Sequence, residues 1–268
     1  MRFDFITIFP GFLAGPLDHG VVSRAVKSGQ VSVAAHDLRA YTHDRHRTVD
    51  DRPFGGGEGM VLKPEPLAEC FVSLDIAPRV ERKTPGETVV LLSAQGRPFT
   101  QAIAHELALL DRVVFVCGRY EGVDERINEL YCDRELSVGD YVLSGGELAA
   151  LVIMDAVVRL LPGVLGNPDS AKFESFGAAD PGPAYTPGDV PPSTHGAGGL
   201  LDYPHYTRPA DFHGLAVPEV LQSGNHVDIR RWRRERSLEK TWRNRPDLLK
   251  SASLSREDRA FLDRLSHG

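Results

Sequence analysis

Phe115-Val116-Cys117-Gly118-Arg119-Tyr120-Glu121-Gly122-Val123-Asp124-Glu125-Arg126 is followed closely by Ser137-Val138-Gly139-Asp140-Tyr141-Val142-Leu143-Ser144-Gly145-Gly146-Glu147, and then by an apolar stretch to Leu161. The apolar runs at 113–117 and 141–143 read as buried strands, each entering a glycine-containing turn. A glycine just past a strand lets a ligand approach the backbone, or lets the chain take a positive φ. Two such turns predict one pocket built mostly from main-chain groups. Two unrelated strand-to-helix turns would have the same spacing, and the residues alone leave that alternative open. Neither turn carries the G-x-G-x-x-G or Gly-Lys-Ser/Thr pattern of a phosphate loop.

The chain of 268 residues has room for one large domain or two smaller ones. Its 41% apolar and 25% charged residues describe a soluble globular protein. No apolar run is long enough to cross a bilayer, and Met1–Ile6 reads as a strand rather than a signal peptide. Cys70, Cys117 and Cys132 are odd in number and scattered. They argue against a disulfide framework or a zinc site and fit a reducing cytoplasm. The net charge of −6 disfavours a nucleic-acid partner, but Ile229–Pro246 holds eight Lys/Arg against two Glu. Local field, not net charge, decides where a phosphate backbone lands.

The segments 118–126 and 138–147 resemble the signature blocks of the bacterial tRNA (guanine-N1)-methyltransferases that modify guanosine 37, a family of the SPOUT class. Further matching blocks run from Ile8 to about Leu249. The resemblance implies an α/β fold: a parallel-sheet SPOUT domain with a trefoil knot at 1–165, a flexible linker or lid at 166–211, and a small all-helical tRNA-binding domain at 212–268. It implies S-adenosylmethionine as methyl donor, a homodimer with a shared active site, and a magnesium requirement. The cofactor would be held by Gly118, Tyr120, Glu121, Val138, Gly139, Asp140, Tyr141, Val142, Leu143, Gly145 and Gly146. RNA contacts would fall on Arg45, Arg47, Asp50, Arg52, Gly59, Arg208, Arg230 and Arg233.

In chain order, Phe3–Phe9 reads as a strand, 12–28 as a helix stopped at Gly29, and Val31–Ala35 as a second strand. Tyr41–Met60 is too polar for core and too rich in glycine for a helix, so it reads as a functional loop. His43 and His46 could be metal ligands, but no third partner accompanies them. Residues 64–74 and 100–110 read as helices, and 88–92 and 112–117 as strands; this alternation predicts a parallel sheet. Glu147–Leu161 is apolar nearly all round, which predicts burial on all sides and suggests a dimer interface. Glu147, Asp155 and Arg159 interrupt it and read as one stripe. Arg159 could pair with Asp155; the resemblance instead gives it a catalytic role. Gly177–Gly199 holds eleven Pro or Gly in 23 residues and reads as a mobile linker. Near the C-terminus, Asn225 with Asp228 and Ser255 with Asp258 read as helix-capping pairs. The helix from about His226 carries five arginines interleaved with Trp232, with Trp242 further along. It reads either as a solvated basic face over buried tryptophans or as a phosphate-binding helix, and the scarcity of carboxylates favours the second.

Guanine N1 carries a proton at neutral pH, so its methylation needs a base, and an arginine can stabilise charge developing on O6. In the family the base is an Asp preceding a Ser. The corresponding place here is Glu174, followed by Ser175-Phe176, with Asp169 and Asp180 as alternatives. The sequence also departs from the family's usual proline at Glu58, Ala94 and Ala149. These departures, with Glu174, leave one rival reading, a non-catalytic tRNA-binding protein of the same fold. A second rival, a SPOUT enzyme acting at another RNA position, is disfavoured because the loop 41–60 and the block 200–209 resemble the guanosine-37 family and not the class at large.

Overall fold

The computed structural model describes residues 1–166, 174–177 and 198–267. Asp169, Asp180 and most of the Pro/Gly-rich segment 177–199 lie outside the described residues. The chain divides into two compact units, Met1–Gly166 and Asn167–Gly268.

The first unit is built on a five-stranded, wholly parallel sheet. Its strands are β1 (Arg2–Thr7), β2 (Ser32–Asp37), β5 (Glu87–Pro98), β6 (Arg112–Cys117) and β7 (Arg134–Ser137), in the order β2-β1-β6-β5-β7. Between β2 and β5 a short antiparallel pair, β3 (Asp50–Asp51) and β4 (Val61–Leu62), closes a loop. Helices α1 (Ala14–Leu17), α2 (Gly20–Lys27), α3 (Pro64–Ser73), α4 (Gln101–Ala108), α5 (Glu125–Tyr131) and α6 (Gly146–Val158) complete the unit.

The middle of the central strands reads as near-continuous apolar runs, 113–117 and 89–92, because both faces are covered. Side chains alternate across a strand. Val113, Phe115 and Cys117 therefore join Phe3, Phe5, Val90 and Leu92 on one face, under residues of α2, α4 and α6. Val114 and Val116 join Ile6, Val89 and Leu91 on the other, under residues of α3 and α5.

Three expectations from the sequence need correction. The run 141–143 is not a strand: Tyr141 and Val142 are exposed, Val142 at 87%. The strand lies earlier, at Arg134–Ser137, where charges at its start hide the pattern. The helix expected over 12–28 is broken into a 3-10 turn at Pro10–Leu13, α1 and α2. His19 is extended and Gly20 has φ 69°, and Gly11, Gly15 and Pro16 weaken helix in the first half. Third, α6 is not buried all round within this chain. Leu148 and Val152, one turn apart, are about half exposed, whereas Glu147 is 1% exposed and so shares no stripe with the exposed Asp155.

Asp4 is fully buried in β1 and ties three strands together. It accepts from Arg2 of its own strand (2.8 Å) and from Arg112 of β6 (2.8 Å), and meets His36 of β2 at 2.6 Å. Arg112 also donates to Glu87 of β5 at 2.9 Å. Burial alone would raise the Asp4 carboxyl, but the hydrogen bonds from His36, Arg2 and Arg112 outweigh it and hold it well below the usual carboxylate range.

In the second unit a hairpin of β8 (Asp211–Phe212) and β9 (Leu215–Ala216) precedes α7 (Glu219–Gln222), α8 (His226–Asn244) and α9 (Arg256–His267). Both predicted caps form. Asn225 Oδ1 accepts from Val227 N at 3.1 Å. Ser255 and Asp258 cap reciprocally at 2.9 and 3.1 Å. Arg234 of α8 donates to Asp258 at 2.8 Å, linking the two helices above a core of Leu200, Leu238 and Phe261. Trp242 remains 38% exposed, so it is not buried core.

The depressed Asp4 carboxyl makes an acid-side prediction. A group whose folded pKa is lowered contributes stability above its unfolded value, near 4, and loses it as pH falls through the folded value. Asp4→Asn should lower unfolding stability in urea at pH 7 by about 3 kcal/mol, since it strands buried partner charges. The gap to wild type should shrink as pH drops below about 4. A gap independent of pH would contradict this.

Candidate cofactor and RNA-binding site

A cavity of about 380 Å³ opens at the C-terminal ends of the parallel strands, within the size range of small-molecule sites and at the edge where open α/β sheets bind ligands. Three segments wall it. The first is an excursion from β5: Leu92 and Arg97 both pair with Leu136 of β7, so the chain between them leaves the ladder and returns. Ser93, Ala94 and Gln95 of this excursion line the cavity. Gly96 permits the return, because a Cβ there would sit 2.6 Å from the backbone N and C of Leu136.

The second wall is the turn after β6, Gly118–Val123. Tyr120 takes φ 57°, the left-handed region that a bulky residue occupies only when its surroundings impose it. The third is the turn after β7, in which Val138, Tyr141, Val142, Leu143, Ser144, Gly145 and Gly146 line the cavity. Nine of the eleven residues assigned to the cofactor from the sequence thus share one cavity. Gly139 and Asp140 stand outside its wall. They shape the turn instead: the Gly139 carbonyl accepts from Ser137 Oγ at 3.0 Å and from Tyr141 N at 2.9 Å.

The two glycine turns are fastened to each other. Arg119 and Gly145 form an antiparallel bridge, and Gly146 N donates to Gly118 O at 2.9 Å. A Cβ on Gly146 would lie 2.8 Å from Cys117 Cα, and one on Gly145 would run into the Arg119 side chain. Arg119 donates to Ser144 O at 3.0 Å and to Glu147 Oε1 at 3.2 Å, with its guanidinium 4.5 Å from the Phe9 ring centroid. Thr7 Oγ1 donates to the same Glu147 oxygen at 2.6 Å. Glu147 Oε2 lies 2.9 Å from Arg119 Nη2 but receives no well-directed hydrogen bond. Sequence reading gave Arg119 and Glu147 no role in building the site. The available signal was two opposite charges set in flanks otherwise apolar or rich in glycine. Cys117 is no nucleophile, since burial pushes its thiol well above the ordinary value.

The loop 41–60 reaches the rim of this cavity. Glu121 N donates to Met60 O at 3.0 Å, and Gly59, at φ 82°, leaves its side-chain position to Glu121. Asp50 is half-buried in β3 opposite Leu62. Arg45, Arg47 and Arg52 are exposed. His43 meets Glu69 at 2.9 Å rather than His46, and among the described residues no group of three or more His, Cys, Asp or Glu could hold a metal ion.

Arg159 follows α6 in the first unit; Glu174 belongs to the second. The segment carrying Glu174 is stitched to the block after the Pro/Gly-rich stretch. Phe176 N donates to Leu200 O at 2.9 Å, and Asp202 N to Ser175 Oγ at 2.9 Å. Leu201 N in turn donates to Thr241 Oγ1 of α8 at 3.0 Å. On α8, Arg233 lies over the Tyr203 ring at 4.9 Å. The Nε atoms of Arg230 and Arg233 are buried without a hydrogen-bond partner among the described residues. Arg208 is exposed.

A double-mutant cycle tests the fastening of the turns. Arg119→Met should destabilise by about 3 kcal/mol by leaving Glu147 buried and uncompensated. Arg119→Met with Glu147→Met should recover at least half of that loss in urea unfolding. Additive losses would show that the pair does not act as a unit.

Comparison with known proteins adds sequence relationship to this geometry. Residues 1–251 match the family described as tRNA (Guanine-1)-methyltransferase TrmD. The chain is 61% identical over 268 residues to a tRNA (guanine-N(1)-)-methyltransferase of Koribacter versatilis, covering 100% of this chain and 99% of the relative. It is 50% identical over 267 residues to that of Moorella thermoacetica, covering 99% and 97%, and 47% identical over 268 residues to that of Geobacter metallireducens, covering 100% and 99%. Matches that span the cavity, the loop and the basic helix together make the chain a member of the tRNA (Guanine-1)-methyltransferase TrmD family.

Proposed function

We propose that this protein methylates N1 of guanosine 37 in tRNA, with S-adenosylmethionine as methyl donor. The observation that carries the reading is the cavity at the strand ends, walled by two fastened glycine turns, in a chain of this family. The residues present suit the cofactor. Gly118 and Gly146 leave bare backbone beneath the cavity, where a nucleoside can lie flat, and the exposed Tyr120 and Tyr141 offer rings at its mouth. Bound there, S-adenosylmethionine supplies a methyl group already activated by its sulfonium. The tight crossing of the turns at Gly145–Gly146 supports the trefoil knot that the family implies.

In this reading the protein aligns guanine N1 with the methyl group, excludes water and removes the N1 proton. Glu174 takes that proton, and Arg159 stabilises the charge developing on O6. Glutamate has the basicity of the family's aspartate with one more methylene, so the hydrogen bonds that fix Ser175 and Phe176 set its reach. The tRNA backbone meets Arg208 and the basic face of α8. Support comes from the buried, unpartnered Nε donors of Arg230 and Arg233, which call for an acceptor. Residues 212–268 then serve as the tRNA-binding part, and the protein works in the cytoplasm as a homodimer. The exposed Leu148–Val152 stripe of α6 supports the dimer, since it leaves apolar surface for a second copy to cover.

One set of variants tests base, arginine and dimer together. Glu174→Gln should cut single-turnover methyl transfer by at least a hundredfold while leaving S-adenosylmethionine binding, read by calorimetry, unchanged. Arg159→Ala should also be slow. Mixing the two variants should restore part of the activity, because a shared site draws the two groups from different chains. A normal rate in Glu174→Gln removes it as base, and no recovery on mixing removes the shared site.

A further inference from the structure

Phe54 is 99% exposed, the most exposed large apolar side chain among the described residues. It sits at the outer end of the loop between β3 and β4, followed by Gly55, Gly56 and Gly57 at φ 86°, 79° and 122°. A phenyl ring held wholly in water stabilises nothing in the folded chain, and the left-handed glycines keep flanking side chains away from it. Arg52 shares that loop and is exposed, as are Arg45 and Arg47 on the chain just before β3, and the side chains of all three pair with no carboxylate among the described residues. The 41–60 segment also holds carboxylates, but two are turned onto its own backbone. Asp44 accepts from His46 N and Thr48 N, and Asp51 from Arg52 N. The hydrogen bond from Thr48 N is the leading reason the Asp44 carboxyl stays below its usual range. The inner end of the loop is fixed on the cavity rim by Met60 and Glu121.

An exposed ring on a segment that also carries unpaired guanidiniums is how proteins hold single-stranded nucleic acid: the cations track the backbone, and the ring stacks on a base of any identity. Resting on the reading of tRNA as substrate, we infer that Phe54 is a stacking platform for an unpaired nucleobase next to the one presented to the cavity. It acts as a binding and positioning residue that touches RNA and not the cofactor. A second copy of the chain is the competing occupant for an exposed ring, but the exposed arginines of the 41–60 segment favour a polyanion.

The test uses the full chain with a tRNA transcript. Phe54→Ala should raise the KM for tRNA on the order of tenfold, the scale of one lost base stack, with S-adenosylmethionine affinity and thermal stability unchanged. Phe54→Trp and Phe54→Tyr should keep the wild-type KM, whereas Phe54→Leu, apolar but without a π face, should behave as Phe54→Ala. A wild-type KM in Phe54→Ala, or full rescue by Phe54→Leu, would overturn the inference. So would a shift of Phe54→Ala to a smaller species in light scattering, which would assign the ring to a contact between copies. A wild-type chain that methylates no tRNA would instead overturn the functional reading beneath it.

Discussion

Backbone crosses backbone at the end of β6 with no space for a single methyl group, and the site depends on that crossing. Gly146 passes within a Cβ's reach of Cys117 Cα, and Gly145 leaves its side-chain position to Arg119. Arg119 then joins the two turns through Ser144 and Glu147, and Glu147 is held from β1 by Thr7. Two loops that would otherwise move independently become one wall. A pocket that binds through backbone groups needs such rigidity, because it has few side chains with which to adapt.

The two units divide the work by chemistry. The first packs apolar residues on both faces of its sheet, and its buried Asp4 joins β1, β2 and β6. The second has a small core of Leu200, Leu238 and Phe261 and relies on caps and on the Arg234–Asp258 pair. Its α8 is rich in arginine, and among the described residues the buried Nε atoms of Arg230, Arg233 and Arg236 have no hydrogen-bond partner. In the proposed mechanism the base, Glu174, rides on this second unit.

Much of the fold was legible because continuous apolar runs at 88–92 and 112–117 and the capping pairs at Asn225 and Ser255 are local signals. The misreading at 141–143 came from the same rule: an apolar run that faces a ligand cavity looks like one that faces the core, while the true strand, Arg134–Ser137, opens with two charged residues. The broken helix at 12–28 failed for a different reason, since its apolar spacing outlasted the backbone freedom of Gly11, Gly15 and Gly20. The site was legible largely through family resemblance. What resemblance passed over is tertiary: Arg119 and Glu147 lie 28 residues apart, and only the fold makes them partners. Phe54 was invisible because an exposed ring and a buried one are written with the same letter.

The central claim is methyl transfer to one atom of one base, and primer extension tests it directly. Purified protein and S-adenosylmethionine are incubated with two tRNA transcripts, one carrying guanosine and one adenosine at position 37, and the products are reverse transcribed. A methyl on N1 blocks the Watson–Crick edge, so the account predicts a stop at position 37 in the guanosine transcript and none in the other. No stop at 37 in the guanosine transcript, with cofactor binding demonstrated in the same preparation, would contradict it.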